Sequence, residues 1–192
     1  GLAGRKLAKN DFLPTGSCDT RELWEKITAR SLNRPIHDGL VCHGTHPVRA
    51  EGAKKLPLLR AVEGPQQAVF TDKALHDFTH SSYTLTPDCD RMACRLAGPI
   101  IETVRGSDIL SDGIAAGSVQ VSTNGQPIVM LADHQTTGGY AKIATVISAD
   151  LPMLAQLRPG QSVCFTFVTP QQAVQAARRQ AELLQAVAAR LD

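Results

Sequence analysis

Aromatic residues, basic runs and long apolar stretches are scarce in this sequence, and each scarcity excludes a class of partner. Aromatic side chains make up 4% of the 192 residues, too few for a base-stacking platform. The formal net charge is +2 and no run of Lys or Arg occurs, which argues against nucleic acid and anionic membranes. The longest apolar runs, at 128–132 and 143–147, fall far short of the roughly 20 residues of a spanning helix. We therefore expect no nucleic acid and no membrane as partners.

Three motifs that mark common enzyme classes are absent as well. The sequence contains no G-x-x-x-x-G-K-[ST] and no G-x-G-x-x-G, whose backbone amides cradle nucleotide phosphates. It contains no G-x-S-x-G, the turn that exposes the nucleophilic serine of many hydrolases. We expect the chain to have neither kind of site by itself.

The five cysteines do not form a recognisable disulfide framework, because their number is odd and their spacing irregular. No C-x-x-C pair occurs, so a reducing cytoplasm is the expected location. Cys89 and Cys94 have no neighbouring base in the sequence and are predicted to be reduced, unbridged and not catalytic. His43 and His46 are predicted to be solvated loop residues, since no helix places both rings on one face. We expect no metal site.

The length suits one domain with a good core or two small ones, and the 43% apolar fraction is ordinary for a globular protein. Arg5 interrupts the N-terminus too early for a signal peptide. The chain does not begin with methionine, which predicts a processed, cleaved or truncated product.

Short apolar segments separated by turn residues predict a mainly β fold, either an antiparallel barrel or a sandwich. The clearest local pattern is Asn124-Gly125, a dipeptide that tolerates the positive φ angles of hairpin turns. Segment 111–113, Ser-Asp-Gly, is predicted to be a turn. Helices that could connect parallel strands are lacking between the strands, which argues against a doubly wound α/β fold.

Helices are predicted near residues 19–27, after Thr71 and after Thr169. Both threonines can accept hydrogen bonds from the free amides of a first turn. The last helix has Pro170 in its first turn and Gln172 in position to complete a capping box. Its apolar stripe would pack on this domain or on a partner.

Segment 133–140 is the densest group of reactive side chains, and it follows a buried strand directly. Its paired glycines let backbone amides approach a ligand or an anion. Asp133 would act as a general base or would orient the imidazole of His134. The alternative is a polar turn between two strands. The candidate catalytic residues are Asp133, His134 and Gln135, and the candidate substrate-binding residues are Thr136, Thr137, Gly138, Gly139 and Tyr140.

Segment 87–95 is the second candidate, and its candidate substrate-binding residues are Arg91 and Asp90. Arg91 or Arg95 would hold an anionic substrate through two hydrogen bonds. The alternative is a surface ion pair between Asp90 and Arg91 beside an edge strand.

Several segments recur in an order typical of one family. They are EGPQ at 63–66, FT at 70–71, YTLTP at 83–87, DRM at 90–92, RL at 95–96, GP at 98–99, ILSDG at 109–113, GSVQV at 117–121, GQPIV at 125–129 and LADHQTTGGY at 131–140. Together they resemble the biotin-dependent carboxyltransferase subdomain A/B family. That family includes the C subunit of 5-oxoprolinase, allophanate hydrolase subunit 2 and part of the urea amidolyase carboxyltransferase domain.

The resemblance implies a cyclophilin-like antiparallel β-barrel with a few short helices and a C-terminal helix. Residues 1–57 would be a remnant of subdomain A with a connector, 58–169 the cyclophilin-like subdomain B, and 170–192 the C-terminal helix. Family members are longer on the N-terminal side, so this chain resembles their C-terminal portion. The family commonly has Ser at Cys89, Gly at Ala93 and Pro at Ala141, and many members have Arg at His134.

The resemblance implies a hydrolase component that acts with partners in the ATP-dependent opening of 5-oxoproline to glutamate. Two alternatives stay open: a biotin-dependent carboxyltransferase component acting on a urea-like amide, and a non-catalytic module that pairs with a related kinase-inhibitor protein. The implied partners are a subdomain C/D-type protein, similar to the B subunit of 5-oxoprolinase, and the missing N-terminal portion. The isolated chain is expected to be inactive.

The chain is expected to bind no cofactor alone, so any ATP or biotin chemistry requires partner domains. Its methionines lie outside the Ala-Met-Lys-Met context of a biotin carrier. A small amide substrate that carries a carboxylate would need a fixed cation, for which Arg91 is predicted. Asp133 would be the base. This hypothesis requires segments 87–95 and 133–140 to meet across one polar cleft.

Overall fold

The computed structural model describes the backbone of residues 12, 48–51 and 54–189, and the side chains of residues 12 and 56–189. The predicted helix near 19–27, the thiols of Cys18 and Cys42, and the histidines His43 and His46 lie outside the described residues.

The described part of the chain is mainly β, with three α-helices. In chain order the strands are β1 (Val48–Glu51), β2 (Lys54–Glu63), β3 (Ser82–Cys89), β4 (Ala93–Ala97), β5 (Asp108–Gly113), β6 (Ser118–Val121), β7 (Pro127–Met130), β8 (Thr137–Tyr140), β9 (Lys142–Val146) and β10 (Ser162–Phe167). The helices are α1 (Asp72–His80), α2 (Leu151–Leu154) and α3 (Pro170–Ala188).

Seven of these strands close into a barrel. The order around it is β2-β10-β3-β4-β7-β6-β9, and β9 returns to pair with β2. The β10–β2 pair is parallel, whereas the other pairs in the ring are antiparallel. Strand β1 pairs with β2 from outside the ring. The predicted mainly β barrel is confirmed, and the parallel pair is a departure from an all-antiparallel arrangement.

The barrel is filled by side chains that alternate along its strands, as expected when one face of a sheet is buried. Tyr83 and Leu85 on β3 and Leu96 on β4 are at most 2% exposed. Helix α1 packs on β10 through Phe78, whose ring centroid lies 4.5 Å from that of Phe165. Each such burial stabilises the fold by roughly 1.5–3 kcal/mol.

The predicted helix caps are confirmed. Thr71 Oγ1 accepts a backbone N–H at 3.1 Å, and Thr169 with Gln172 forms a complete capping box. Helix α3 nevertheless buries none of its described residues, and Val174 and Leu184 are 51% and 53% exposed. Ala177 and Val187 of the predicted apolar stripe are partly buried, and Gln180 donates to the Ala149 carbonyl, but most of the stripe is exposed.

The hairpin predicted around Asn124-Gly125 joins β6 to β7, which pair antiparallel. Gly125 has a φ of +75°. Asn124 Oδ1 accepts from Ser122 Oγ at 2.6 Å and from Gln126 N at 3.1 Å. The side chain thus stabilises the turn that the glycine permits.

Strands β5 and β8 form a two-stranded ribbon on the outside of the barrel. Next to it, Ile114 makes a second apolar cluster with Ile128 and Met130 of β7. Every residue of β6 and β7 is therefore buried, because the barrel interior covers one face and the ribbon covers the other.

The ribbon corrects two sequence predictions. Asp112 and Gly113, predicted to form a turn, lie in β5, and the second half of segment 133–140 is strand β8 instead of a loop. Asp112 is paired with Gly138. Neither segment alternates apolar and polar residues as a half-buried strand does. Each is extended because β5 and β8 pair with each other, and the sequence of one segment alone does not show this pairing.

Candidate functional site

A β-bulge in β9 sets the direction of Lys142. Val119 and Gln120 are consecutive on β6, but their partners on β9 are Ala144 and Lys142, so Ile143 is an extra residue. A bulge of this kind interrupts the alternation of a strand and re-aims its side chains. Ile143 and Ala144 both belong to the barrel core, while Lys142 lies under the ribbon.

The ammonium group of Lys142 is buried and fixed. Its Nζ donates to Asp112 Oδ2 at 2.6 Å and to the Gly113 carbonyl at 2.8 Å. The Lys142 side chain is 4% exposed, whereas that of Asp112 is 50% exposed. A buried lysine needs such a partner, because desolvation of an unpaired charge is costly.

Gln66 ties this ion pair to the barrel. Its Oε1 accepts from Lys142 N at 3.1 Å, and its Nε2 donates to Asp112 Oδ2 at 2.9 Å. Lys142, Asp112, Gln66 and Gly113 together are called the lysine cluster. The pKa of Asp112 is lowered, first by the hydrogen bond from Lys142 and then by those from Gln66 and from the Gly113 backbone. The cluster therefore holds an ionised carboxylate next to an ammonium group.

Two glycines allow the close approaches around the lysine cluster. A Cβ at Gly64 would collide with the carbonyl oxygen of Lys142. A Cβ at Gly138 would lie 2.7 Å from Ile114 Cδ1 and 2.9 Å from Gln120 Nε2. Gln120 is 3% exposed and donates to the Tyr140 carbonyl at 3.3 Å. Gly64 and Gly138 therefore have a packing reason that is independent of any ligand.

Arg91 and Asp133 form a second polar centre, called the arginine pair. Arg91 Nε lies 2.9 Å from Asp133 Oδ2, and Arg91 Nη2 donates to Asp133 Oδ1 at 3.1 Å. Backbone hydrogen bonds join the same segments, from Asp133 N to Arg91 O and from Leu131 N to Met92 O. The structure thus brings segments 87–95 and 133–140 together.

Asp90 supports the turn that carries Arg91. Its Oδ1 accepts from Met92 N at 2.8 Å and from Ala93 N at 3.0 Å. The pKa of Asp90 is lowered by these bonds, first by the one from Ala93. The carboxylate that pairs with Arg91 is therefore Asp133, not the adjacent Asp90.

The remaining predicted residues lie between the two centres. His134 Nδ1 donates to the Gln135 carbonyl at 2.7 Å. The Thr136 carbonyl accepts from Ile114 N at 2.9 Å, and the Gln135 and Thr136 side chains are exposed. Thr137, Gly138, Gly139 and Tyr140 form β8. Segment 133–140 therefore links the arginine pair to the lysine cluster.

A pocket of about 630 Å³ lies beside the arginine pair. Its lining is mainly apolar, and its charged members are Asp90 and Arg91. No residue of segment 133–140 belongs to this lining, although the segment was predicted to line the main polar cleft. The roles predicted for these residues stay predictions.

Sequence reasoning missed Lys142, Asp112 and Gln66. Gln66 and Asp112 lie in EGPQ and ILSDG, two of the segments that resemble the family. That resemblance was the one signal in the sequence that could have indicated a functional role for them. Lys142 lies in an apolar strand, where the sequence alone predicts that a single charged side chain is exposed.

In the described part of the chain, no group of three or more His, Cys, Asp or Glu side chains could hold a metal ion. None of the described helices combines the length and apolar character that crossing a membrane requires.

Two curated proteins are similar in sequence to this chain. One is the C subunit of 5-oxoprolinase from Haemophilus influenzae, 38% identical over 167 residues, covering 85% of this chain and 53% of that protein. The other is the same 5-oxoprolinase component from Escherichia coli, 39% identical over 195 residues, covering 100% of this chain and 54% of that protein. The chain spans about half the length of the curated relatives it matches.

A solved structure and a family profile agree with this similarity. The Kluyveromyces lactis urea amidolyase structure superposes with a TM-score of 0.62 at 22% identity, covering 65% of this chain and 8% of that one. At this identity the match shows the fold alone. The profile described as carboxyltransferase domain, subdomain A and B, matches residues 1–167. The chain belongs to this carboxyltransferase subdomain A and B family.

Proposed function

We propose that this chain is part of a component like the C subunit of 5-oxoprolinase, which acts with partner proteins and ATP to open 5-oxoproline to glutamate. The support is the similarity to two proteins of that name together with the lysine cluster. The implied partner is a subdomain C/D-type protein, similar to the B subunit of 5-oxoprolinase. The chain alone should be inactive, because it spans about half of each relative.

The buried, fixed ammonium group of Lys142 carries the proposal. Opening a lactam places negative charge on its carbonyl oxygen as the ring is attacked or phosphorylated. A cation held in place where water is scarce stabilises such charge most effectively. Two of the three N–H donors of Lys142 Nζ serve Asp112 and Gly113, which leaves one donor for a ligand.

Of the two charged members of the lysine cluster, Asp112 is the accessible one. Its lowered pKa makes it a weak base, so it is better suited to keep Lys142 protonated and oriented than to take a proton. Gln66 fixes the carboxylate from the barrel side. In this assignment Lys142 donates to the reacting oxygen, and Asp112 with Gln66 positions it.

The test uses the full-length protein reassembled with its partners. Lys142→Met should lower glutamate formation from 5-oxoproline and ATP by about 10²–10³-fold, the usual effect of removing one such donor. Lys73→Met is the matched control, because Lys73 is 67% exposed and pairs with Asp77 in α1. Asp112→Asn should lower turnover less, since the ammonium group stays in place. Normal turnover in an assembled Lys142→Met complex would show that the lysine is structural.

A further inference from the structure

The turn between β3 and β4 places two cysteines directly opposite each other. Cys89 and Cys94 are register partners across the two strands, and both carry free thiols. Asp90 N donates to Ala93 O at 3.1 Å and closes the turn. Asp90 and Ala93 are therefore a hydrogen-bonded pair. Hydrogen-bonded and non-hydrogen-bonded pairs alternate along an antiparallel ladder, so the next pair, Cys89 and Cys94, is a non-hydrogen-bonded one.

This position suits a disulfide without rearrangement of the backbone. Non-hydrogen-bonded pairs have Cα atoms about 4.5 Å apart. Disulfides span Cα distances of roughly 4.4–6.8 Å. The two thiols also interact: burial raises the pKa of Cys94 most, and Cys89 raises it further through its charge and a hydrogen bond. The sulfur atoms are therefore near enough to react with each other.

The two thiols differ in access. Cys94 is 4% exposed, and burial first, followed by Cys89, raises its pKa to about 12. Cys89 is half-buried, and its Sγ lies 3.6 Å from the Arg95 carbonyl. Both cysteines line the apolar pocket together with Arg91. A reagent that enters this pocket would meet Cys89 first, next to an exposed guanidinium.

We propose that Cys89 and Cys94 form a redox modification site that exchanges with a low-molecular-weight disulfide bearing carboxylates. The Cys89 thiolate attacks one sulfur of the reagent, an S–S bond forms to Cys89, and the other half leaves as a thiolate. Cys94 loses its proton to solvent and attacks the Cys89 sulfur, and the second half leaves. The protein loses two electrons and two protons, and the reagent is reduced to two thiols.

Arg91 gives this site its preference for an anionic reagent. One guanidinium N–H, on Nη2, donates to Asp133, and the Arg91 side chain is 84% exposed, so its outward N–H groups can reach a carboxylate. The turn that carries Arg91 lies between the two cysteines, and a Cys89–Cys94 bond would close that turn covalently. The site does not depend on the proposed ring-opening activity.

The experiment uses the 192-residue chain and glutathione disulfide. The chain is incubated with the reagent, the remaining thiols are alkylated, and the denatured protein is digested with trypsin. Trypsin cleaves after Arg91, so a Cys89–Cys94 bond appears as peptide 74–91 joined to peptide 92–95. We expect this linked pair as the main product, with both thiols protected from alkylation, and its separation on reduction. Both thiols remaining open to alkylation would overturn the proposal.

Two variants test the order of the steps. Cys94→Ser should stop the reaction at a stable mixed disulfide on Cys89, whereas Cys89→Ser should leave Cys94 largely unmodified. A stable mixed disulfide on Cys89 in the unsubstituted chain would overturn the resolving role of Cys94. A further test needs no substitution and uses phenylarsine oxide, a reagent that bridges two adjacent thiols. It should protect Cys89 and Cys94 together, and failure to protect them would contradict their proximity.

Discussion

Arg91 and Asp133 are 42 residues apart in the sequence and are joined by a hydrogen bond from Nη2 to Oδ1 at 3.1 Å and by an ion-pair contact between Nε and Oδ2 at 2.9 Å. Their side chains are 84% and 45% exposed, so the pair contributes at most about 1 kcal/mol to folding stability. Backbone hydrogen bonds hold the same two segments together beside it. The pair therefore sets the orientation of Arg91 while adding little to folding stability.

The first prediction concerns Arg91→Ala in the reassembled complex. It should weaken 5-oxoproline binding by about 1.5–3 kcal/mol, the usual worth of a charged hydrogen bond. The free energy of unfolding should change by less than about 1 kcal/mol. Substrate titration and denaturant unfolding measure the two effects. Arg178→Ala, at an exposed arginine on α3, is the control. A urea-like amide has no carboxylate, so near-normal affinity for 5-oxoproline in Arg91→Ala would favour a carboxyltransferase or a structural role.

The second prediction separates the two members of the arginine pair. Asp133→Asn keeps the size of the side chain and removes its charge. If Asp133 is the base, this change should lower kcat with little change in substrate affinity. Steady-state kinetics on the reassembled complex distinguish the effects. A rise in KM at constant kcat would instead mean that Asp133 only orients Arg91.

The third prediction concerns pH and the lysine cluster. Because Lys142 and Gln66 lower the pKa of Asp112, folding is favoured where this carboxylate is ionised in both states. As the pH falls below 3.8, the unfolded chain takes up the proton first, and the contribution is lost as the pH falls through the folded pKa. The stability difference between the unsubstituted chain and Asp112→Asn should therefore be largest near neutral pH and should shrink below about pH 4.

Urea unfolding at a series of pH values measures this difference. Asp88→Asn, which removes an exposed carboxylate from β3, controls for the loss of one negative charge. A stability difference that stays constant through the acid range would contradict the proposed coupling between Asp112 and Lys142.

The fourth prediction compares two neighbouring glycines in β8. A Cβ at Gly138 would press on Ile114 and Gln120, whereas a Cβ at Gly139 would make an ordinary contact, at 3.5 Å from Ile109 O. Gly138→Ala should lower the free energy of unfolding by about 1–3 kcal/mol through overpacking. Gly139→Ala should be far milder. Equal effects, measured by thermal unfolding, would show that the ribbon does not pack tightly against the barrel.

The sequence by itself determined the features that depend on neighbouring residues. Thr71 and Thr169 cap their helices because a hydroxyl needs to reach only two or three residues ahead. Asn124 and Gly125 make the β6–β7 turn for a similarly local reason. Short apolar segments separated by turn residues were enough to predict a mainly β fold, and the order of short motifs was enough to predict its family.

Tertiary structure alone decided the lysine cluster. The extra residue Ile143 in β9 appears only when β9 is aligned with β6, and this bulge sends Lys142 outward. Asp112 comes within 2.6 Å of that lysine only because β5 pairs with β8 and covers the barrel. Gln66 reaches both from the turn after β2, 46 residues before Asp112. Strand register is a relation between segments that are distant in the sequence. The residues of one strand do not specify which strand pairs with it or where a bulge shifts the register by one residue.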